Sequence, residues 1–196
     1  MGSSETTNAC AVSTMHELQE ALSTNVYDRE GTMHALGDLI KGKRSVLVFT
    51  RHSCAQLQRI WRPRRPLLII SNGSHQPIDT YARTTSSAYP VYTDPTCRLH
   101  AMLKFKSGLK EGTVKRDYMP DTGGRVGRIV GEIKGALGNL QHTAYIGPKS
   151  LNGGEVVVGA DGKCEYMYRM QNTVDHTSIA RLAQIIGVEK VSPQQG

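Results

Sequence analysis

The stretch that decides the fold of this chain is Ser45-Val46-Leu47-Val48-Phe49-Thr50-Arg51-His52-Ser53-Cys54. Residues 45–50 are apolar, rich in β-branched side chains and too short for a stable helix, so they predict a buried strand. Residues 55–61 have a helical pattern, which places Cys54 where the strand gives way to a helix. A thiol at a helix N-terminus lies near the positive end of the helix dipole, and Arg51 and His52 stand beside it in sequence. Both influences favour the reactive thiolate.

Cys54 is therefore the main candidate for a nucleophile, but a second interpretation stays open. A free cysteine after an apolar strand is often only a small buried hydrophobic residue. His52 has two interpretations of its own, as a base or thiolate partner and as a cap of the following helix.

Composition limits the classes of function. A chain of 196 residues with 38% hydrophobic and 21% charged residues fits one α/β domain with a real core. It contains neither a stretch of about 20 apolar residues nor a secretory signal, so we expect a cytoplasmic protein without a membrane partner. The four cysteines form no CxxC pair, which argues against a zinc site or a disulfide scaffold, and we expect neither metal nor cofactor. They are Cys10, Cys54, Cys97 and Cys164.

The net charge of +7 is densest at residues 59–65, which hold four arginines. A basic cluster of this kind can bind nucleic acid. Here no aromatic residues interleave with a helical basic face, so a solvated loop is favoured and no nucleic-acid partner is expected.

The hydrophobic pattern predicts alternating strands and helices. Asp161-Gly162 between two strand-like runs is a strong hairpin signal, and Pro90 places its strand at a sheet edge or at a strand start. We expect a disordered tail over 1–12, one domain over 13–190 and a C-terminal tail over 191–196. Strands are expected over 45–50, 67–71, 89–93, 155–160 and 164–170, a short hairpin over 26–32, and helices over 14–23, 34–40, 76–84, 95–105, 125–137 and 178–186.

This order predicts an α/β, thioredoxin-like fold, a mixed sheet flanked by helices with a helical insertion before the last hairpin. Four segments also resemble, in order, the peroxiredoxin-like AhpC/TSA antioxidant family, in particular its fungal thioredoxin-fold branch. They are residues 46–54, the run Tyr89-Pro90-Val91-Tyr92-Thr93-Asp94-Pro95, the run Asn152-Gly153-Gly154-Glu155-Val156, and residues 168–176.

The resemblance implies redox chemistry at Cys54, with one departure. Family members usually carry CxxC, whereas Leu57 occupies the position of the second thiol. An oxidised Cys54 would then be resolved by Cys97, by Cys164, or by glutathione or thioredoxin as an external reductant. Thr50 and Arg51 are candidates for orienting a peroxide oxygen, although Thr50 stands four residues before the cysteine rather than three.

Other polar residues are candidates with alternatives. Arg169 leaves the last hairpin and could lie beside Cys54, or it could form a surface salt bridge. Trp61 and Asn172 are further candidates for substrate binding. Asp175 and His176 precede the last helix, where capping is the favoured role.

Two functions follow from these observations. The first is a thiol-dependent reductase of a peroxide or peroxide-like small molecule. The second is a pathway-specific, biosynthetic enzyme that transforms a small apolar metabolite with Arg51, His52 and Arg169, without redox use of the cysteine. A homodimer is compatible with either function.

Overall fold

Seven strands form one mixed sheet in the computed structural model, which describes residues 12–50, 66–85, 89–108, 147–148, 150–173 and 175–187. The strands are ordered β2-β1-β5-β4-β3-β6-β7 across the sheet. Their bounds are β1 Asn25–Tyr27, β2 Met33–Ala35, β3 Ser45–Phe49, β4 Leu67–Ser71, β5 Val91–Thr93, β6 Gly154–Val158 and β7 Cys164–Arg169. The described helices are α1 Val12–Leu22, α2 Leu36–Ile40, α3 Ile78–Thr85, α4 Arg98–Met102 and α5 Ile179–Ile186.

The centre of the sheet is parallel and its flanks are antiparallel. Strands β3, β4 and β5 run in the same direction, with β6 and then β7 added antiparallel on the β3 side. This arrangement confirms the thioredoxin-like fold. Pro90 precedes β5, which is an interior strand between β1 and β4. The strand-start interpretation of this proline is therefore right and the edge interpretation is wrong.

The two faces of the sheet carry separate apolar clusters. Leu47 and Phe49 of β3 pack with α1, α2 and α4 on one face, which we call the α1 face. Val46 and Val48 pack with α3 and α5 on the other, the α5 face. Because β3 is buried on both faces, its sequence is a continuous apolar run rather than an alternating one.

Local signals set the element ends. Ser178 caps α5 by accepting a hydrogen bond from the Arg181 N–H at 3.2 Å, and Gly187 ends the helix with a left-handed φ of 68°. Gly162 has φ 80° in the β6–β7 turn, as the Asp-Gly signal predicts. None of the helices in the described ranges is long and apolar enough to cross a membrane.

Several expectations lie outside the described residues. They concern the tails, the helix after Cys54, the arginine cluster at 59–65 and the helical insertion with its helix at 125–137.

Candidate functional site

The carboxyl ends of β3, β4 and β5 lie at one edge of the sheet, which we call the carboxyl edge. Thr50 follows β3, is buried, and donates its backbone N–H to the Ile70 carbonyl at 2.9 Å. Asn72 and Asp94 follow β4 and β5 and are also buried. Ligands of open α/β sheets commonly bind outside the carboxyl ends of the parallel strands, so this edge is the candidate site.

The central candidate residues fall just beyond Thr50. Arg51, His52, Cys54 and Trp61 lie outside the described residues, so their roles stay predictions. Four peptide units separate Thr50 from Cys54, which limits the distance between their Cα atoms to about 14 Å.

Two glycines at the start of β6 allow close approach to its neighbours, Gly153 to the end of β3 and Gly154 to β7. A Cβ atom on Gly153 would overlap the carbonyl oxygen of Phe49, and one on Gly154 would overlap that of Tyr168. Glycine is therefore required at both positions, which gives a physical reason for the Gly153-Gly154 pair found in the sequence.

Arg169 is held by other protein groups. Its Nε donates a hydrogen bond to the Leu103 carbonyl at 2.6 Å. Its guanidinium lies 3.0 Å from Oε2 of Glu17. The other carboxylate oxygen of Glu17 pairs with Lys104 at 2.5 Å. These contacts agree with the salt bridge that the sequence analysis gave as the alternative role of Arg169. Contact of Arg169 with a substrate stays a prediction, as it does for Asn172, which is half-buried between β7 and α5.

Asp175 and His176 do not have the capping role that the sequence suggested, because Ser178 caps α5. Asp175 instead accepts hydrogen bonds from the Tyr168 hydroxyl at 2.8 Å and from the Gln171 N–H at 3.0 Å. His176 is 5% exposed and its Nδ1 lies 2.5 Å from Oε1 of Glu155, which is fully buried.

Sequence reasoning missed Glu155 as a site residue. An acidic residue that opens a strand of buried valines is the signal that could have found it, because an ionisable group in such a strand needs a buried partner.

A second buried histidine lies on the α1 face. His100 is 1% exposed, and its ring packs edge-on against Phe49 and Phe105 with centroid distances of 5.8 and 5.5 Å. In the described part of the chain neither ring nitrogen has a hydrogen-bond partner. Burial lowers the pKa of His100 to about 4, against a smaller opposing effect of Asp94, so the ring is neutral at pH 7.

The two described cysteines differ in place and state. Cys97 is a free thiol at the carboxyl edge, 3.8 Å from the Asn72 carbonyl oxygen. Burial and, to a smaller extent, the neighbouring Asp94 raise its thiol pKa. A thiol with a raised pKa is a weak nucleophile at neutral pH.

Cys164 is disulfide-bonded, and its partner lies outside the described ranges. Cys164 is aligned with Val158, which is aligned with Ser45, the first residue of β3. It thus lies at the end of the sheet opposite Thr50, which makes it a poor resolving partner for Cys54 as well.

The described residues contain no group of three or more His, Cys, Asp or Glu side chains arranged to hold a metal ion. The candidates at the carboxyl edge are Cys54 from the sequence and the Glu155–His176 pair from the structure.

Comparison with known proteins gives the family. A family model described as AhpC/TSA antioxidant enzyme matches residues 54–172, which is more than half of the chain and begins at the candidate nucleophile. The chain belongs to the AhpC/TSA antioxidant enzyme family.

Curated relatives of this AhpC/TSA chain include Peroxiredoxin-like 2C of Homo sapiens. That protein is 23% identical over 186 residues, covering 85% of this chain and 79% of the relative. Peroxiredoxin-like 2C of Takifugu rubripes is 23% identical over 203 residues, covering 95% and 87%. The alignments therefore run over most of both chains.

Solved structures agree on the fold. The peroxidoxin BcpB of Mycobacterium tuberculosis superimposes with a TM-score of 0.53 at 15% identity, covering 84% of this chain and 89% of that one. A bacterioferritin comigratory protein of Xanthomonas campestris, described with alkyl peroxide reduction activity, gives 0.51 at 12% identity, covering 86% and 90%. At these identities the likeness establishes the fold of this AhpC/TSA chain and leaves its chemistry to the residues.

Proposed function

We propose that the chain is a thiol-dependent reductase of a peroxide or peroxide-like small molecule, with Cys54 as its nucleophile. The observation that carries the proposal is the family match over residues 54–172, which begins at Cys54. Thr50 at the carboxyl edge supports it, because the chain leaves the buried strand there and reaches Cys54 within four residues. The other two cysteines of the matched region are less suited, since Cys97 has a raised pKa and Cys164 is disulfide-bonded.

The proposed reaction transfers two electrons from sulfur to the peroxide. The Cys54 thiolate attacks one peroxide oxygen, a sulfur–oxygen bond forms and the oxygen–oxygen bond breaks. The departing alkoxide or hydroxide takes up a proton and leaves as alcohol or water, while Cys54 becomes a sulfenic acid.

The sulfenic acid must then be reduced by a second thiol. Leu57 replaces the CxxC partner, and neither described cysteine is well placed or well activated for this step. We therefore propose an external thiol, glutathione or thioredoxin, as the reductant, through a mixed disulfide with Cys54.

Substitution of Cys54 tests the proposal directly. Cys54→Ser should lower the rate of peroxide reduction by several orders of magnitude, because a hydroxyl is a far weaker nucleophile than a thiolate. Cys97→Ser is the matched control and should keep the wild-type rate. A Cys54→Ser protein with full turnover would refute the reductase.

The second candidate is an enzyme that transforms a small apolar metabolite without redox use of sulfur. The absence of the second CxxC thiol, with Leu57 in its place, favours it. Under this function Cys54→Ser keeps most activity, whereas Arg51→Ala or His52→Ala loses about 10²–10⁴-fold. The same pair of experiments therefore separates the two candidates.

A further inference from the structure

The short helix α4 lies between two residues that have the left-handed backbone conformation. Cys97 has φ 57° directly before the helix, and Lys104 has φ 53° two residues after its last residue. No other non-glycine residue in the described ranges has a positive φ. The Cβ atom of an L-residue crowds a carbonyl oxygen in this conformation, so the backbone is strained at both ends of the segment.

The same helix buries a polar side chain that has no partner. His100 is 1% exposed, and neither of its ring nitrogens has a hydrogen-bond partner within the described part of the chain. Its ring contacts the rings of Phe49 and Phe105 instead. A buried polar group without a partner costs its full desolvation energy, and this cost disappears when water reaches the ring.

Apolar burial and polar contacts hold α4 against the α1 face. Leu99 and Leu103 are fully buried. The Leu99 N–H donates to the Asp94 carboxylate at 2.8 Å, and the Leu103 carbonyl accepts from Arg169 at 2.6 Å. A helix of five residues is too short to be stable by itself, so α4 keeps its conformation only while these contacts last. The outward-facing residues of the segment are exposed, namely Arg98, Ala101 and Lys104.

We propose that residues 97–104 form a flap that opens as one unit from the α1 face, and that protonation of His100 favours the open state. Cys97 and Lys104 are the hinges, because each can return to a negative φ when the flap opens. Opening also separates the half-buried Cys97 thiol from the Asn72 carbonyl oxygen, which lies 3.8 Å from it in the closed state.

The direction of the acid response follows from the burial of His100. In the closed flap its pKa is about 4, because burial disfavours the charged ring more than Asp94 favours it, and in the open flap the hydrated ring returns to its ordinary value of 6.5. The open state therefore binds the proton first as the pH falls, so opening increases below about pH 6.5 and levels off below about pH 4. Other titratable groups near this segment are Cys97, Glu17 of α1, Tyr92 of β5 and Arg169 of β7. A variant without the imidazole separates its titration from theirs.

Hydrogen exchange of single backbone amides, followed by NMR, measures the opening. The N–H groups of Ala101, Leu103 and Phe105 are all bonded to carbonyls of the flap, and the Leu182 N–H in α5 is the reference. We expect the three flap amides to share one opening constant at pH 7, at least about tenfold above that of Leu182. Three unrelated constants, or three equal to that of Leu182, would refute the flap.

A matched pair of variants tests the strain at the second hinge. Lys104→Gly and Lys104→Ala both remove the ion pair with Glu17, but only glycine adopts φ 53° without strain. We expect the opening constant of Lys104→Gly to be about twofold to tenfold below that of Lys104→Ala. An equal or larger constant for Lys104→Gly would show that position 104 is not a strained hinge.

The acid response is tested at the same amides. From pH 7 to pH 5 the opening constant of the wild-type flap should rise about twentyfold, given pKa values of 6.5 in the open flap and about 4 in the closed flap. His100→Leu should lack most of this rise. If that variant does not fold, His100→Phe, which keeps a planar ring, takes its place. A wild-type constant that does not change with pH, or the same rise in the variant, would refute His100 as the acid-responsive group.

Discussion

Among the described residues, each face of the sheet buries one histidine near the carboxyl edge, and the two have opposite surroundings. On the α1 face His100 packs against Phe49 and Phe105 with no described hydrogen-bond partner. On the α5 face His176 is paired with a carboxylate at 2.5 Å. Burial is nearly the same, at 1% and 5% exposure.

The difference shows that partners, rather than burial, decide what a buried histidine can do. An imidazole among apolar rings is held neutral, because burial disfavours its charged form and lowers the pKa of His100 to about 4. An imidazole beside a carboxylate can carry a positive charge, because the charged form gains an opposite charge in contact. His100 is then a packing residue, whereas His176 is held by a polar contact with Glu155.

The largest expected effect is a difference in unfolding free energy between substitutions on the two faces. Glu155→Ala removes one member of a buried pair and leaves His176 without its carboxylate, which should cost about 3–5 kcal/mol of unfolding free energy. His100→Leu removes a polar group that has no hydrogen-bond partner among the described residues, so its cost at pH 7 should be below about 1.5 kcal/mol. Urea unfolding of the two variants measures both. Equal losses would show that the faces do not differ as described.

The next effect is a pH dependence that arises on the α1 face. The pKa of His100 is lowered in the folded protein from its ordinary value of 6.5 to about 4. As the pH falls, the unfolded chain therefore binds this proton first, so stability is lost between about pH 6.5 and pH 4 and the loss then levels off. At about 1.4 kcal/mol per pKa unit the loss is about 3 kcal/mol.

The variant His100→Leu should lack this component of the pH dependence. Unfolding free energies of wild type and variant at pH 7, 6, 5 and 4 provide the measurement. Parallel curves for the two proteins would mean that His100 does not titrate as its surroundings imply.

A smaller effect concerns the ion pairs of the α1 face. Arg169→Ala removes a hydrogen bond to the Leu103 carbonyl and an ion pair with Glu17. The arginine side chain is 26% exposed, so after allowance for solvent we expect a loss of about 1–2 kcal/mol. Arg169→Lys should recover part of it. Peroxide kinetics of the same variants test the substrate-binding prediction, since a tenfold rise in KM with unchanged stability would make Arg169 a substrate contact.

The smallest effect is on thiol reactivity and leaves the fold unchanged. The raised pKa of Cys97 leaves less thiolate at pH 7, so iodoacetamide should alkylate it more slowly than Cys54. Cys164 should be alkylated only after reduction. Peptide mass spectrometry with and without a reductant measures both, and labelling of Cys164 without reductant would contradict its bonded state.

Peptide mapping of the non-reduced protein identifies the disulfide partner of Cys164, which lies outside the described residues. A Cys164 peptide linked to Cys54 would mean that the candidate nucleophile is blocked in the oxidised protein.

Most of the fold was predictable because its signals are local. The apolar runs at β3 and β4, the Asp161-Gly162 turn and the Gly187 helix end each depend on a few neighbouring residues. The helix predicted over 95–105 is shorter, because the Asp94 carboxylate binds the N–H groups of Thr96 and Leu99 and turns the chain before Arg98.

The site was less predictable because its contacts are distant in sequence. The partner of Glu155 is His176, 21 residues away, and the surroundings of His100 include Phe49, 51 residues away. No spacing in the sequence marks either pair. The segment that carries Arg51, His52 and Cys54 lies outside the described residues, so the roles of these residues stay predictions from the sequence.

The pairing of β3 with β6 has a consequence for how this protein is made. Val46 is aligned with Val157, 111 residues further along the chain. At a synthesis rate of about 5–20 residues per second, one side of β3 waits roughly 5–20 s for its neighbour to leave the ribosome. Until then its backbone N–H and C=O groups form an open, apolar edge, the kind of surface that other chains add to. The nascent protein is therefore most exposed to aggregation, and most dependent on chaperones, just before its last hairpin emerges.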